Sequence, residues 1–410
     1  MNYHYNDHHD LQKSKTIIIF KQVKNIAERV ANAGKSDATV VPYDDSNDNH
    51  HKKKGVKTLM SEGGLSHAHA SMAELNFDTS QIILGADKGL ENFMKSRCPN
   101  MENFSEHHTK SMNSWFISEF ALWDADIFKL DEASLNNPLV AVAYFIAREM
   151  AFFDGEEADK LSLGHEQFLM WAFRVQRGYL SSNTFHNACH AADVTQTIYY
   201  FLERGGGIER AKLSLEHQIA AVVGGMCHDF GHPALNNVYL IATQHTYAIR
   251  YNDKAVLEMH HVAASFAILH ENSDSNFFTN APRATYEEIR KVVVHAVLST
   301  DMAMHFIDVN KLKAKNSSDE FLVGETIPDD DKLLLISAMV HGADISNPAK
   351  STRTYVTWTS RVMVEFFNQG DKERDLGLKI SMFMDRETTN IAKCQIGFID
   401  ILVGPLYAFT

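Results

Sequence analysis

Three short motifs rich in histidine and aspartate are the residues of this chain best suited to chemistry. They are His186-Asn187-Ala188-Cys189-His190, His228-Asp229 and His341-Gly342-Ala343-Asp344. Imidazole nitrogens and carboxylate oxygens bind divalent metals, and a metal with open coordination positions activates water and binds phosphate oxygens. The motifs therefore predict metal-assisted hydrolysis of a phosphate ester.

The spacing of the first motif suggests how its histidines act. His186 and His190 are four residues apart, so on a helix they would share one face. Such a pair can ligate one metal together, or one member can ligate while the other faces the substrate. Asp193 lies three residues further on, and we expect it to orient His190 by accepting its second N–H.

The other two motifs each place a carboxylate after an apolar run. Asp229 has two oxygens that can bridge two cations, and His232 follows His228 at helical spacing. The alternative interpretation is an ordinary buried His–Asp hydrogen bond. Asp344 follows an apolar helix, where an unpaired carboxylate is costly, so a metal, an arginine or a backbone cap must satisfy it.

Gln395 is a polar residue on an apolar face, because it shares helical spacing with Ile391, Phe398 and Leu402. A buried amide needs partners, and its donor and acceptor suit the edge of a purine base. Phe398, one turn on, could stack on that base. The alternative is a core glutamine bonded to the backbone.

The elements that position these residues are predicted to be helices from about residue 77 onward. Four local features support this: a capping box at Thr285 and Glu288, acidic residues at 329–331 before a helix at 333–340, a helix from Tyr355 that stops at Gly370, and a last helix capped by Asp385. Sustained period-two alternation is absent from the sequence. The predicted fold is therefore all-α, a compact multi-helix bundle.

Composition limits the class of protein. The net charge of −13 argues against a nucleic-acid binder, because such proteins neutralise phosphates with basic surface. The four cysteines form no CxxC pair, the N-terminus lacks the apolar core of a signal peptide, and apolar runs are too short to span a membrane. These features predict a cytosolic protein with reduced thiols.

Two regions are expected along the chain. Residues 1–75 read as a partly disordered N-terminal region, and residues 76–410 as the catalytic domain. Residues 11–35 have the pattern of a basic amphipathic helix, which could bind a calmodulin-like partner or an anionic membrane surface. We favour the alternative that this helix packs on its own protein.

Seven blocks in one order carry a family resemblance over about residues 110–404. They are HNACHAAD (186–193), MCHDFGHP (226–233), YNDKAVLEMHH (251–261), LSTDM (298–302), HGADISNPAK (341–350), EFFNQGDKE (365–373) and QIGFID (395–400). The chain resembles the class I cyclic-nucleotide phosphodiesterases, most of all their calmodulin-dependent and cAMP-selective branches. The resemblance implies an HD-type phosphodiesterase fold with a two-metal site.

The resemblance also implies a role for each matching residue. The tight metal, usually Zn²⁺, has the ligands His190, His228, Asp229 and Asp344. Asp229 would also reach a second metal, usually Mg²⁺ or Mn²⁺, whose water shell is surrounded by His232, Glu258, His261 and Thr300. His186 matches the general acid, and the purine pocket is lined by Gln395, Phe398, Val362, Phe366, Asn347 and Tyr355.

The implied reaction is attack of a metal-activated hydroxide on the cyclic phosphate while His186 protonates the 3′ oxygen, giving a nucleoside 5′-monophosphate and ending the cyclic-nucleotide signal. Asn347 favours cAMP, with cGMP as the other candidate. Two alternatives stay open: a metal phosphohydrolase acting on other nucleotides, and a catalytically impaired scaffold that binds cyclic nucleotides.

Three departures from the family pattern set expectations. Phe185 stands where relatives mostly carry tyrosine, which removes a hydroxyl beside the acid. The chain stops at Thr410, a dozen residues past Phe398, so the domain is expected to be short behind the purine pocket. The regulatory domains usual in the family are also absent from this sequence.

Overall fold

The computed structural model describes residues 89–98, 101–318 and 321–408. Within these ranges the chain is built of helices and contains no β-strand, which confirms the all-α prediction. None of the described helices combines the length and hydropathy needed to cross a bilayer. The helix predicted at 11–35 and the boundary predicted near residue 75 lie outside the described residues.

The helices follow one another through short connections after a helical segment at 89–97. They are α1 (Glu106–Ser118), α2 (Ile127–Ala133), α3 (Pro138–Glu149), α4 (Glu156–Leu161), α5 (His165–Gly178), α6 (Ala188–Tyr199), α7 (Gly207–Ala211), α8 (Leu215–Cys227), α9 (Asn237–Ala242), α10 (Thr246–Tyr251), α11 (Val256–Glu271), α12 (Arg283–Leu298), α13 (His305–Asn316), α14 (Asp329–Asp344), α15 (Thr352–Asp375), α16 (Ile391–Phe398) and α17 (Gly404–Tyr407). π-helical turns at Tyr200–Arg204 and Ile399–Val403 continue α6 and join α16 to α17.

Helix α8 lies at the centre of the bundle, packed against α6, α12 and α14. Every side chain from Ile219 to Cys227 is buried, as expected of a helix that is apolar on all sides. At Gly225 a Cβ atom would lie only 2.4 Å from the Cδ1 of Ile198 on α6. Glycine at this position therefore leaves room for the Ile198 side chain of α6, two residues before α8 ends at Cys227.

Helix α15 does not stop at Gly370 as the sequence predicted, but continues to Asp375. A glycine that ends a helix adopts a positive φ, and Gly370 does not. Its Cβ would instead lie 1.8 Å from the carbonyl oxygen of Met384. The glycine is needed for this close crossing, so it marks a packing contact and not a helix end.

Two predicted helix starts are wrong in detail, because α12 and α14 each begin directly after a proline. Pro282 precedes α12, so Thr285 lies inside the helix and forms no capping box. Pro328 precedes α14, so the acidic residues Asp329–Asp331 form its first turn. Negative charge in a first turn is stabilised by the helix dipole, and proline fixes a backbone suited to a helix start.

The last predicted helix is also capped elsewhere. Asn390, not Asp385, caps α16 by accepting the N–H of Lys393. Asp385 belongs to an earlier turn, where it accepts the hydroxyl of Thr388. All four cysteines are buried free thiols, as the sequence predicted.

We expect Gly370→Ala to destabilise the protein by about 1–3 kcal/mol, because the new methyl group must displace the Met384 backbone. Gly397→Ala is the matched control, since Gly397 is also helical and its Cβ would meet nothing within 4 Å. Urea unfolding followed by circular dichroism measures both. Equal stability of the two variants would contradict the close-crossing role of Gly370.

Candidate active site

Four predicted ligands come together at the ends or first turns of three helices. His190 lies in the first turn of α6, His228 and Asp229 follow α8, and Asp344 ends α14. All four ligand atoms lie within 4.8 Å of one another. The structure thus joins residues separated by up to 154 positions in the sequence.

The spacing of these atoms fits one metal ion. The Nε2 atom of His190 lies 3.1 Å from Asp344 Oδ1, 3.5 Å from Asp229 Oδ2 and 3.3 Å from His228 Nε2. The Nε2 atom of His228 lies 3.2 and 3.3 Å from the same two carboxylate oxygens. Ligands about 2.1 Å from a tetrahedral metal are about 3.4 Å apart, so the donor set and its spacing suit such an ion.

Hydrogen bonding leaves the His228 ring ready to ligate. Its Nδ1 donates to the carbonyl oxygen of Gly225 at 2.8 Å, so that in the neutral ring the lone pair is on Nε2, which faces the carboxylates. The Nδ1 of His190 is buried and has no hydrogen-bond partner among the described residues. The prediction that Asp193 accepts the second N–H of His190 is therefore wrong. It binds the buried ammonium of Lys350, which attracts a carboxylate more strongly than a neutral N–H does.

Both carboxylates of the cluster stay ionised. Burial would raise the pKa of Asp229, but His228 and the hydrogen bond from His190 outweigh it and hold the pKa well below its usual range. Burial likewise opposes a lowered pKa at Asp344, and His228 again outweighs it. Two anionic oxygens directed at two imidazole nitrogens make a donor set that suits a divalent cation.

Asp229 also takes part in a second group, with His232 and His261. Its Oδ1 atom lies 3.7 Å from Nε2 of His261, whereas its Oδ2 faces the first cluster. The Nδ1 of His261 is bonded to the carbonyl oxygen of Phe230 at 2.7 Å. This carboxylate thus lies between the two groups, with one oxygen on each side.

Burial keeps both histidines of the second group neutral, since it lowers the pKa of His261 to about 4 and that of His232 well below its usual range. The Nδ1 of His232 accepts the N–H of Ala234 at 3.0 Å. Its proton is therefore on Nε2. His232 can donate a hydrogen bond to a ligand of a metal, but Nε2 has no lone pair for the metal itself.

Three other candidates form hydrogen bonds with residues outside the first cluster. Glu258 accepts from Asn237 Nδ2 at 3.0 Å, and burial raises its pKa to about 7. Thr300 donates to the carbonyl oxygen of Val297 in its own chain segment. His341, from the third motif, pairs with His305 at 2.9 Å, so only Asp344 of that motif joins the cluster.

His186 is held in the loop before α6 and not on the helix, because α6 begins at Ala188. The prediction that it shares a helical face with His190 is therefore wrong. Its ring is stacked on that of His232, with centroids 3.9 Å apart and planes inclined by 15°. This arrangement leaves the His186 edge beside the His232 and Asp229 group.

Glu365 fixes His186, a role that the sequence reasoning missed. Its Oε2 lies 2.5 Å from Nδ1 of His186, while Oε1 accepts the backbone N–H groups of Phe185 and His186 at 2.6 and 3.0 Å. Burial would lower the pKa of His186, but the Glu365 hydrogen bond and the charge of Asp229 raise it. A signal was available: Glu365 is seven residues from Trp358, on the buried face of α15, where a carboxylate needs a partner.

The predicted purine-pocket residues lie on α15, on α16 and in the turn before them. Gln395 Oε1 lies 2.9 Å from the hydroxyl of Tyr355 and 3.5 Å from that of Thr359, which the sequence reasoning did not single out. The amide of Asn347 is bonded to Asp193. The predicted apolar side chains are each half-buried: Val362, Phe366 and Phe398.

Comparison with known proteins gives one family and several relatives. A family model described as 3'5'-cyclic nucleotide phosphodiesterase matches residues 185–410. A probable 3',5'-cyclic-AMP phosphodiesterase, pde-4, of Caenorhabditis elegans is 37% identical over 288 residues, covering 70% of this chain and 41% of that protein. The 3',5'-cyclic-AMP phosphodiesterase 4C of Rattus norvegicus is 36% identical over 288 residues, covering 70% of this chain and 52% of the relative.

A solved structure is also similar, that of the phosphodiesterase domain of the RhoPDE fusion protein from the choanoflagellate Salpingoeca rosetta. Its TM-score is 0.63 at 27% identity, and the match covers 72% of this chain and 89% of that one. The chain spans only about half or less of the length of the curated relatives described above.

We expect Asp344→Ala to lose most of the tightly bound metal, because it removes one of two anionic ligands. Elemental analysis of the purified, dialysed protein measures this. Asp308→Ala is the control, since Asp308 pairs with Lys311 outside the cluster. Undiminished metal content in the Asp344 variant would refute its assignment as a ligand.

Proposed function

The chain belongs to the 3'5'-cyclic nucleotide phosphodiesterase family, and we propose on that basis that it hydrolyses cAMP to 5'-AMP and so ends a cyclic-nucleotide signal. One observation supports this most strongly: the four-ligand cluster lies directly beside the paired His186 and Glu365. A metal-binding donor set next to a proton donor is what hydrolysis of a phosphodiester requires.

The proposed cofactors are two divalent cations. Zn²⁺ is proposed at the tight site of His190, His228, Asp229 and Asp344, because nitrogen and oxygen donors at this spacing suit it. Mg²⁺ or Mn²⁺ is proposed on the Oδ1 side of Asp229, with His232, His261, Glu258 and Thr300 around its water shell. When bound, such cations supply Lewis acidity and lower the pKa of coordinated water to about 7.

The chain's own contribution to bond cleavage is a proton from His186. Its Nδ1 is bonded to Glu365, so the Nε2 proton is the one available to the substrate. The hydrogen bond to Glu365 and the charge of Asp229 raise the pKa of His186, which favours the protonated ring. The attacking water loses one proton to solvent and bonds through its oxygen to phosphorus, where its second proton stays on the new phosphate oxygen. As the P–O3′ bond breaks, the His186 proton passes to the 3′ oxygen, which otherwise leaves poorly.

The purine is proposed to bind between the apolar side chains of Phe398 and Val362, with Phe366 and Tyr355 at the same pocket. The amides of Gln395 and Asn347 would read its edge. Adenine is proposed over guanine, in keeping with relatives named as cyclic-AMP phosphodiesterases.

A cytosolic location is proposed from the sequence features above. Contact of residues 11–35 with a calmodulin-like partner or a membrane surface stays a prediction, because these residues lie outside the described ranges.

With Mg²⁺ present, we expect the protein to convert cAMP to 5'-AMP, and His186→Ala to lower kcat by about 10²–10⁴-fold because the general acid is lost. Chromatographic assay of the product measures this. Exposed His270 gives the control variant His270→Ala, which should keep full activity. Failure of the metal-loaded wild type to hydrolyse either cyclic nucleotide would disprove the proposed function.

Glu365→Gln should lower kcat and move the alkaline limb of its pH profile to lower pH. The reason is that Glu365 raises the pKa of His186, so its removal lets the acid lose its proton earlier as pH rises. Glu373→Gln, another buried carboxylate on α15 that bonds Gln369 and Ser381, is the matched control. An unshifted alkaline limb in the Glu365 variant would refute this positioning role.

A further inference from the structure

A cleft of about 750 Å³ lies between the end of α2, the end of α5, the start of α6 and the middle of α15. Its lining includes Asp131, Arg177 and Arg361, and we call it the α2–α15 cleft. The four residues of the metal cluster do not line it, and neither does His186. Residues 187–189, which directly follow His186, form part of its wall. Its volume is in the range of pockets that hold small organic molecules.

The two arginines of this cleft are not neutralised by a carboxylate of the described residues. Arg361 is half-buried on α15, and Arg177 is exposed near the end of α5. Within the described ranges, neither guanidinium forms an ion pair or donates a hydrogen bond to the protein. A guanidinium carries five N–H donors, and pairs of these donors match the oxygens of a carboxylate or a phosphate. The cleft therefore presents free donors that suit an oxyanion.

The Arg361 guanidinium is held in place by two aromatic rings. Its central carbon lies 4.6 Å from the ring centroid of Phe128 and 5.5 Å from that of Trp358. Contacts of this kind use the face of the guanidinium and leave the N–H groups on its edge for a ligand. Because the group is already positioned, less entropy is lost when an anion binds to it.

The wall of the cleft beside α2 is fixed by buried amides. Gln176 Nε2 donates to Asn137 Oδ1 at 2.7 Å, and Asn137 Nδ2 donates to the carbonyl oxygen of Leu135 at 2.9 Å. These two amides are satisfied within the protein, so they shape the cleft without competing for a ligand. The guanidiniums of Arg177 and Arg361 are left as its principal binding groups.

The cleft carries a positive charge in an acidic protein. Asp131 is the one carboxylate among its described lining residues, against two guanidiniums. Burial raises the pKa of Asp131 to about 6, while the charge of Arg361 opposes this shift. The whole chain has a net charge of −13. A cleft of opposite sign on such a protein concentrates anions and repels cations.

The cleft is connected to the proposed proton donor by short contacts. The hydroxyl of Thr184 donates to the carbonyl oxygen of Arg361 at 2.8 Å. Thr184 lies two residues before His186, and Arg361 lies one helical turn before Glu365 on α15. A ligand of Arg361 therefore acts on the two segments that hold the acid and its carboxylate partner.

We propose that the α2–α15 cleft is a second binding site, which takes a small organic oxyanion, either a phosphate ester or a carboxylate, on the guanidiniums of Arg177 and Arg361. Occupation of this site changes turnover through the contact between Thr184 and Arg361. The binding itself is independent of the proposed function, whereas the effect on turnover rests on it.

The test uses the metal-loaded full chain and three fluorescent probes with one ring system: 1-naphthyl phosphate, 1-naphthoate and the neutral 1-naphthol. Fluorescence titration should show saturable binding of an anionic probe at millimolar concentration or below. Binding of 1-naphthol should be much weaker, because the guanidiniums bind the charged group. The tighter of the two anions shows whether the site prefers a phosphate or a carboxylate.

Arg361→Gln and Arg177→Gln should each weaken binding of the anionic probe at least about tenfold, since each removes a charged donor. Arg177 is exposed, so its variant tests the site even if Arg361→Gln folds poorly. Arg290→Gln is the matched control, because this guanidinium also lies over a ring, 4.5 Å from the centroid of Phe266, but outside the cleft. Asp131→Asn should instead strengthen binding about twofold or more, because it removes a like charge.

Asp344→Ala separates the cleft from the metal cluster. A probe in the cleft should bind this variant as it binds the wild type, whereas a probe held by the metals should be lost. Loss of binding in Asp344→Ala with unchanged affinity in both arginine variants would overturn the inference. Equal affinity for 1-naphthol, or no saturable binding of either anion, would overturn it as well.

The effect on turnover is measured as kcat for cAMP at saturating substrate, where competition at the active site has no influence. A saturating anionic probe should change kcat by about fivefold, the lower end of typical coupling between two sites, in the wild type but not in Arg177→Gln. An unchanged kcat with bound probe would refute the coupling. Absence of cyclic-nucleotide turnover in the wild type would disprove the proposed function and leave the binding result intact.

Discussion

The buried cluster of two carboxylates and two imidazoles is the constraint on which the rest of the structure depends. Asp229 and Asp344 face the same two Nε2 atoms at 3.1–3.5 Å, deep among the helices. Like charges held so close are costly without a cation between them. The chain also brings two helix C-termini here, since α8 ends at Cys227, directly before His228, and α14 ends at Asp344. The partial negative charge of a helix C-terminus favours a cation.

A second buried charge pair, Asp193 and Lys350, joins two of the segments that form this cluster. Asp193 lies one turn after His190 on α6, and Lys350 lies six residues after Asp344, so their contact ties together two of the ligand-bearing segments. Removing one partner of such a pair typically costs about 3–5 kcal/mol, because the other charge stays buried alone. The contact therefore holds α6 and the turn that carries Asn347 in one fixed arrangement.

The helical class and the grouping of His190, His228, Asp229 and Asp344 in one cluster could be predicted from the sequence, because they depend on local spacing and on residue types that bind metals. It failed where a contact joins distant parts of the chain. The Glu365–His186 bond spans 179 positions, and no local pattern reveals which buried carboxylate meets which imidazole. The local spacing predicts that Asp193 bonds to His190 on its own helix, whereas it binds the ammonium of Lys350 from another segment.

The prediction that Gly370 ends a helix failed for a related reason. A glycine in a helical pattern can end the helix or admit a neighbouring chain, and only the position of that neighbour decides, as at Gly370.

Gly225 has an evolutionary consequence. Because the missing side chain of Gly225 leaves room for the Cδ1 methyl group of Ile198, a larger residue there must displace that methyl group. The contact lies between α6, which carries His190, and α8, which directly precedes His228. A substitution at Gly225 would therefore affect both the packing of the core and the cluster beside it. A shorter side chain at position 198 would relieve this contact, so we expect the residues at positions 198 and 225 to change together.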